Sequence, residues 1–122
     1  MTELAAVCEE VAAVGCPLLL MLVSPAICGS IIAKFGNVEQ QKRWLPGLCA
    51  GRKMVFAITE PDAGSNSHRI STVATPHAGG YRLNGKKYYI SGVDEADAVL
   101  VVARTGIDER TGRGRLSLFV VD

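Results

Sequence analysis

Apolar positions recur along the chain at two spacings, and the change between them falls near residue 53. Upstream, Leu4, Val7, Val11 and Val14 return every three or four residues, which predicts a helix over 2–14 started by Thr2 and stopped by Gly15. Gly15 and Pro17 break the pattern. Ser24 and Pro25 then read as a cap and a first-turn proline for a second helix over 26–35, carrying Ile27, Ile31 and Ile32 and closed by Gly36. Asn37-Val38-Glu39-Gln40 has the form of a capping box for a third, short helix to Trp44, with Glu39 and Arg43 one turn apart and Leu45-Pro46-Gly47 as its end.

From Met54 the pattern becomes that of strands, because β-branched and aromatic residues between glycine-bearing turns replace Ala and Leu at helical spacing. Strands are expected over 54–59, 70–74, 98–103 and 116–121, with a charged loop over 105–115. Residues 81–90 read as a hairpin whose Asn84-Gly85 turn accepts the positive φ of a type I′ geometry. The order, helices first and strands second, predicts an α+β fold with a boundary between residues 53 and 54. Neither half is expected to be complete: three apolar-faced helices want further partners, and the last strand stops without a closing element.

Composition narrows the function. With 13 Lys and Arg against 12 Asp and Glu the net charge is +1, and both halves are near balance, so no field exists to gather nucleic acid. The stretch over 11–33 is uncharged, but Gly15, Pro17, Pro25 and Gly29 interrupt it, and glutamates rather than basic residues precede it. It reads as core helix, neither a membrane span nor a secretory signal. Cys8, Cys16, Cys28 and Cys49 lack paired spacing, and only His68 and His77 could join them, so no metal site is expected and the thiols read as buried, reduced and cytoplasmic.

Candidate chemistry concentrates in two places. In Phe56-Ala57-Ile58-Thr59-Glu60-Pro61-Asp62-Ala63-Gly64-Ser65, Pro61 holds Glu60 extended, so a strand runs to its end and turns. The Thr59 and Ser65 hydroxyls and the Gly64 amide suit the polar edge of a flat heteroaromatic ring with an attached phosphate. The same residues also make an ordinary turn. On the expected hairpin, period-two alternation puts Tyr89 and Ser91 on one face, an aromatic to pack on a ring and a hydroxyl to meet its edge. A core tyrosine beside a surface serine fits equally well. Glu60 reads as a turn or surface carboxylate, and Asp94, Glu95 and Asp97 as a solvated acidic loop.

Taken in order, Gly36-x-x-Glu39-Gln40 through Trp44-Leu45-Pro46, then Phe56 to Ser65, then Leu83-Asn84-Gly85-x-Lys87-x-Tyr89-Ile90-Ser91, then Ala96-Asp97 and Ala103-Arg104, resemble the acyl-CoA dehydrogenase family. The resemblance covers nearly the whole chain. It implies that residues 1–53 are the end of a helical N-terminal domain, and that residues 54–122 are most of an antiparallel, barrel-like middle domain. A C-terminal four-helix bundle with its glutamate base is not among them, so this stretch alone is expected to be inactive in fatty-acid oxidation. By the same resemblance FAD is the cofactor: Phe56, Ile58 and Thr59 line the isoalloxazine, Ser65 lies near the pyrophosphate and the acyl-CoA, and Tyr89, Ile90 and Ser91 flank the flavin N5 side. Electron-transferring flavoprotein is the implied acceptor, and a homo- or hetero-oligomer the implied assembly. Asn66 stands where the family usually has aspartate, Tyr89 where tryptophan is commonest, and Gly92-Val93 where Asn-Gly is usual. A flavin-dependent monooxygenase of the same fold, and a non-catalytic subunit pairing with a longer relative, are the alternatives.

Overall fold

A computed structural model describes residues 2–16 and 19–122, and the side chains of all of these except 19–21. Three helices, α1 (Thr2–Ala13), α2 (Leu19–Phe35) and α3 (Val38–Cys49), precede five strands, β1 (Met54–Ala57), β2 (Val73–His77), β3 (Gly80–Asn84), β4 (Ala98–Ile107) and β5 (Gly114–Val121). The α+β order is that expected. The chain divides into two compact units: Met1–Val55 with Ser91–Asp97, and Phe56–Ile90 with Ala98–Asp122. No helix among the described residues is long and apolar enough to cross a membrane.

In the helical unit, α1 and α3 end in the same way. Gly15 and Gly51 adopt positive φ, and the amides at and after them return to the last helical carbonyls: Gly15 to Ala12 and Cys16 to Val11, Gly51 to Leu48 and Arg52 to Gly47. Both are Schellman closures, which a side chain at the left-handed position would strain. Gly51 is therefore the true end of α3, four residues beyond the expected Leu45-Pro46-Gly47 stop. Pro46 lies inside the helix, as does Pro25 in α2, so Ser24 is no cap. A proline removes one amide and crowds one carbonyl, a local cost that helix on both sides can outweigh. The other expected break, Pro17, lies outside the described residues. The Asn37 capping box is formed as expected, with Asn37 Oδ1 accepting from the Gln40 amide at 2.8 Å and Gln40 Oε1 from the Asn37 amide at 2.9 Å. On α1 it is Leu4, Cys8 and Val11 that are half-buried, while Val7 and Val14 face out.

In this unit Cys28, Ile32, Met54 and Val55 are buried, and burial pushes the Cys28 thiol up to about 11. Cys8 and Cys16 are half-buried and Cys49 is exposed, so the expectation of four buried thiols holds fully only at Cys28. Segment 91–97 joins the helical unit through a two-way hook: the Lys53 amide donates to the Asp97 side-chain Oδ2 at 2.8 Å, and the Asp97 amide to the Lys53 carbonyl at 2.9 Å. Lys53 Nζ also meets Glu95 at 2.5 Å, so the acidic loop is exposed but anchored.

The sheet runs β1-β4-β2-β3, with β5 on β4. The β2–β3 and β4–β5 pairs are antiparallel, but β2 meets β4 in parallel at Val73↔Arg104, so the sheet is mixed rather than wholly antiparallel. Strand β4 buries Ala98, Leu100, Val102 and Ala103, with Val99 and Val101 half-buried between them.

The hairpin expected over 81–90 is absent. Strand β3 pairs instead with β2, in register His77↔Gly80 around Ala78-Gly79, and residues 85–90 follow it without forming a strand. Neither Asn84 nor Gly85 has the positive φ that a type I′ turn needs. Gly85 is small for another reason: a Cβ there would lie 2.6 Å from Thr72 Cα. The Asn-Gly pair marks a close backbone approach, which local sequence does not distinguish from a turn.

Candidate functional site

The expected strand 54–59 ends early, at Ala57, and the residues after it form the site. Glu60 to Ala63 is a tight turn with Pro61 and Asp62 at its centre: the Glu60 amide donates to the Ala63 carbonyl at 3.0 Å, and the Ala63 amide to the Glu60 carbonyl at 3.2 Å. Ala63 then buries with Ile70 and Val102 in a small apolar cluster, and Phe56, Ile58 and Leu116 pack on it half-buried. The turn is thus pinned from below, while Gly64, Ser65 and Asn66 above it are exposed.

Glu60 is not a surface carboxylate. Its side chain is 1% exposed and every donor around it is aimed at it. Oε2 accepts from the Ser71 amide at 2.7 Å and from Ser71 Oγ at 2.6 Å, and Oε1 accepts from the Thr72 amide at 3.0 Å, from Thr72 Oγ1 and from Lys87 Nζ at 2.8 Å. Burial alone would raise the carboxyl, but the hydrogen bonds from Lys87, Ser71 and Thr72 outweigh it and hold Glu60 well below the ordinary carboxylate range. Lys87 Nζ also donates to the Ile58 carbonyl at 3.0 Å, and the Tyr88 amide to the Thr59 carbonyl at 2.9 Å. Residues 58–60 and 87–88 are therefore laced together by three bonds.

This lacing brings Tyr89 to the same end of the chain's sheet unit as Thr59, but not by strand alternation. Tyr89 sits at φ 56°, a left-handed conformation unusual for an aromatic residue, and is 93% exposed, with its ring centroid 6.0 Å from that of Tyr88. Ile90 is half-buried. Ser91 is exposed and belongs to the helical unit. Among the described residues, the Thr59 and Ser65 hydroxyls and the Gly64 amide have no hydrogen-bond partner. Gly64 has no positive φ, and a Cβ on it would meet nothing within 4 Å.

Sequence reasoning missed Glu60 and Lys87 as partners, and Ser71 and Thr72 altogether. The available signal was a charge at the end of an apolar run, fixed by the proline after it; its partner 27 residues away has no local signature.

Residues 55–122 match the family model of the acyl-CoA dehydrogenase middle domain, and residues 1–52 that of the acyl-CoA dehydrogenase N-terminal domain. The chain belongs to the acyl-CoA dehydrogenase family. It is 57% identical over 122 residues to acyl-CoA dehydrogenase FadE12 of Mycobacterium tuberculosis, covering 99% of this chain and 31% of that protein. Among solved structures it is similar to the FAD complex of PigA, with a TM-score of 0.76 at 33% identity over 86% of this chain and 27% of that one. Butyryl-CoA dehydrogenase from Megasphaera elsdenii gives 0.75 at 31% identity over 85% and 27%. The chain spans about a third of the length of such acyl-CoA dehydrogenases.

Proposed function

We propose that this acyl-CoA dehydrogenase chain supplies one wall of an FAD and acyl-CoA site for α,β-dehydrogenation of acyl-CoA thioesters. The observation that carries the reading is the unpaired polar set of Thr59 Oγ1, the Gly64 amide and Ser65 Oγ, presented on either side of a turn whose Ala63 is anchored in the apolar cluster. Polar groups left without partners on an anchored loop suit a ligand with a polar edge and an anionic tail. Gly64 fits the same role, since neither its backbone nor a neighbour in the chain requires a glycine there. These residues fit the flavin, and the FAD complex of PigA supports that assignment.

In this reading the Thr59 hydroxyl meets the ring edge and Ser65 the pyrophosphate and acyl-CoA. Phe56 and Ile58 back the ring from the apolar cluster, while Tyr89 and Ile90 flank its N5 side. When bound, the flavin supplies the hydride acceptor of the reaction. The chain's residues orient the ring and substrate but provide no base. Glu60, the carboxylate nearest the wall in sequence, has both oxygens occupied by donors and too low a proton affinity to take an α-proton at neutral pH. The base is the bundle glutamate that the family resemblance implies, and electron-transferring flavoprotein, an oligomeric enzyme and a cytoplasmic location complete the proposal. The free thiols among the described residues suit a reducing compartment.

Titration of the purified chain with FAD, read by quenching of flavin fluorescence, tests the reading. Saturable binding that weakens when Thr59 is changed to Val is the expected result. Absence of saturable binding overturns the FAD wall, and acyl-CoA oxidation by this chain alone overturns the assignment of the base elsewhere.

A further inference from the structure

Glu60 and Lys87 form a buried ion pair next to the proposed flavin wall without belonging to it. An ion pair of this kind is an inefficient way to stabilise a fold, because desolvating two charges offsets most of their attraction, and apolar residues of similar size usually do as well. What it supplies is direction. Glu60 receives five hydrogen bonds, from two consecutive residues of one segment and from Lys87 of another, and Lys87 spends a second bond on the Ile58 carbonyl. Segments 58–60, 71–72 and 87–88 are fixed to one another at a single point. Thr59 directly precedes Glu60, and Tyr89 lies two residues beyond Lys87. Gly85 is what lets Thr72 come close enough to serve as donor.

We propose that Glu60 is a positioning residue of the flavin site, acting with Lys87 to set the Thr59 hydroxyl and the Tyr89 ring at a fixed separation and orientation. The inference rests on the FAD site proposed above and deepens it. It assigns the shape of that wall to a carboxylate that touches neither cofactor nor substrate, and whose two oxygens accept five hydrogen bonds within the protein. The exposed, left-handed Tyr89 is held in place by this clamp through the Tyr88 amide on the Thr59 carbonyl, rather than by packing of its own ring into a core.

The test compares FAD binding and the bound-flavin spectrum in the chain and in Glu60→Gln, Lys87→Met and the milder Thr72→Val, which removes one hydroxyl donor and leaves the ion pair. Expected are a rise in Kd of about tenfold for the first two and about threefold for the third. At saturating FAD the flavin absorption band should also change shape and its fluorescence quenching should fall. A role confined to stability would reduce only the amount of folded protein and leave the spectrum of the bound flavin unaltered. If Glu60→Gln does not fold, Thr72→Val carries the comparison. Folded variants that bind FAD with the parent's affinity and spectrum overturn the positioning role while leaving the FAD site standing; a parent chain that does not bind FAD overturns both.

Discussion

Each unit of the molecule contains a Lys–Glu pair, and the two teach different things. Lys53 and Glu95 in the helical unit are 2.5 Å apart with side chains 45% and 61% exposed, while Lys87 and Glu60 in the sheet unit are 2.8 Å apart with side chains 11% and 1% exposed. Judged by distance alone the first pair is the stronger. Burial reverses the order, because water and ions screen the exposed pair and each side chain must surrender rotamer freedom to hold it. In the buried pair neither charge has water to return to, so losing one partner leaves the other stranded. The exposed pair decorates a hook already made by the Lys53 backbone with the Asp97 amide and carboxylate; the buried pair is itself the joint.

The largest expected effect follows from stranding a charge. Lys87→Met should destabilise the chain by about 3–5 kcal/mol, the range for breaking a buried pair, measured by denaturant unfolding. Glu60→Gln should fall in the same range, since its new amide hydrogens face the Ser71 or Thr72 donors. The double variant should cost about as much as the worse single one, because both remove one interaction. Additive losses would mean that the residues act separately and the comparison is misdrawn.

Acid should act on the same pair. Glu60 in the folded chain lies below its ordinary value, so its contribution is complete above the ordinary carboxylate range, and is lost as pH falls through that range toward the folded value. Stability should therefore decline below about pH 4.3, with this one proton contributing a slope of at most about 1.4 kcal/mol per pH unit. In Glu60→Gln that part of the acid slope should vanish. An unchanged slope would show that Glu60 is not the titrating group.

A smaller effect is expected at Gly85. An alanine there would drive its Cβ into the Thr72 backbone and should cost about 1–3 kcal/mol, the range for overpacking, with loss of amide protection at Thr72. Gly85 also shows where sequence reading reached its limit. Asn84-Gly85 is a strong hairpin signal, but the signal describes what a dipeptide tolerates, and here tertiary approach to Thr72 used that tolerance instead. The helix ends were legible where a glycine completed a Schellman closure at Gly15, and the Asn37 capping box was legible because all of its partners lie within four residues. Pro25 and Pro46 misled because a proline weakens a helix locally without forbidding it. The turn at Glu60 was readable from Pro61, and the apolar strand before it from composition. The carboxylate's five donors were not, because they lie 11, 12 and 27 residues away and only the folded sheet gathers them.

The smallest effect is expected at the exposed pair, and it is the sharpest test of the comparison. Glu95 is held below its ordinary value by its hydrogen bond to Lys53, and Lys53 is raised by the same bond, yet both remain open to solvent. Glu95→Gln should leave the unfolding midpoint unchanged within error, and raising the salt concentration should remove any difference that does appear. Asp97→Asn, by contrast, weakens the acceptor for the Lys53 amide, and its loss should register as faster exchange of that amide while the rest of the helical unit stays protected. If Glu95→Gln destabilised the chain as much as Lys87→Met, burial would not be what separates the two pairs, and the short Lys53–Glu95 contact would have to be counted among the joints of the helical unit.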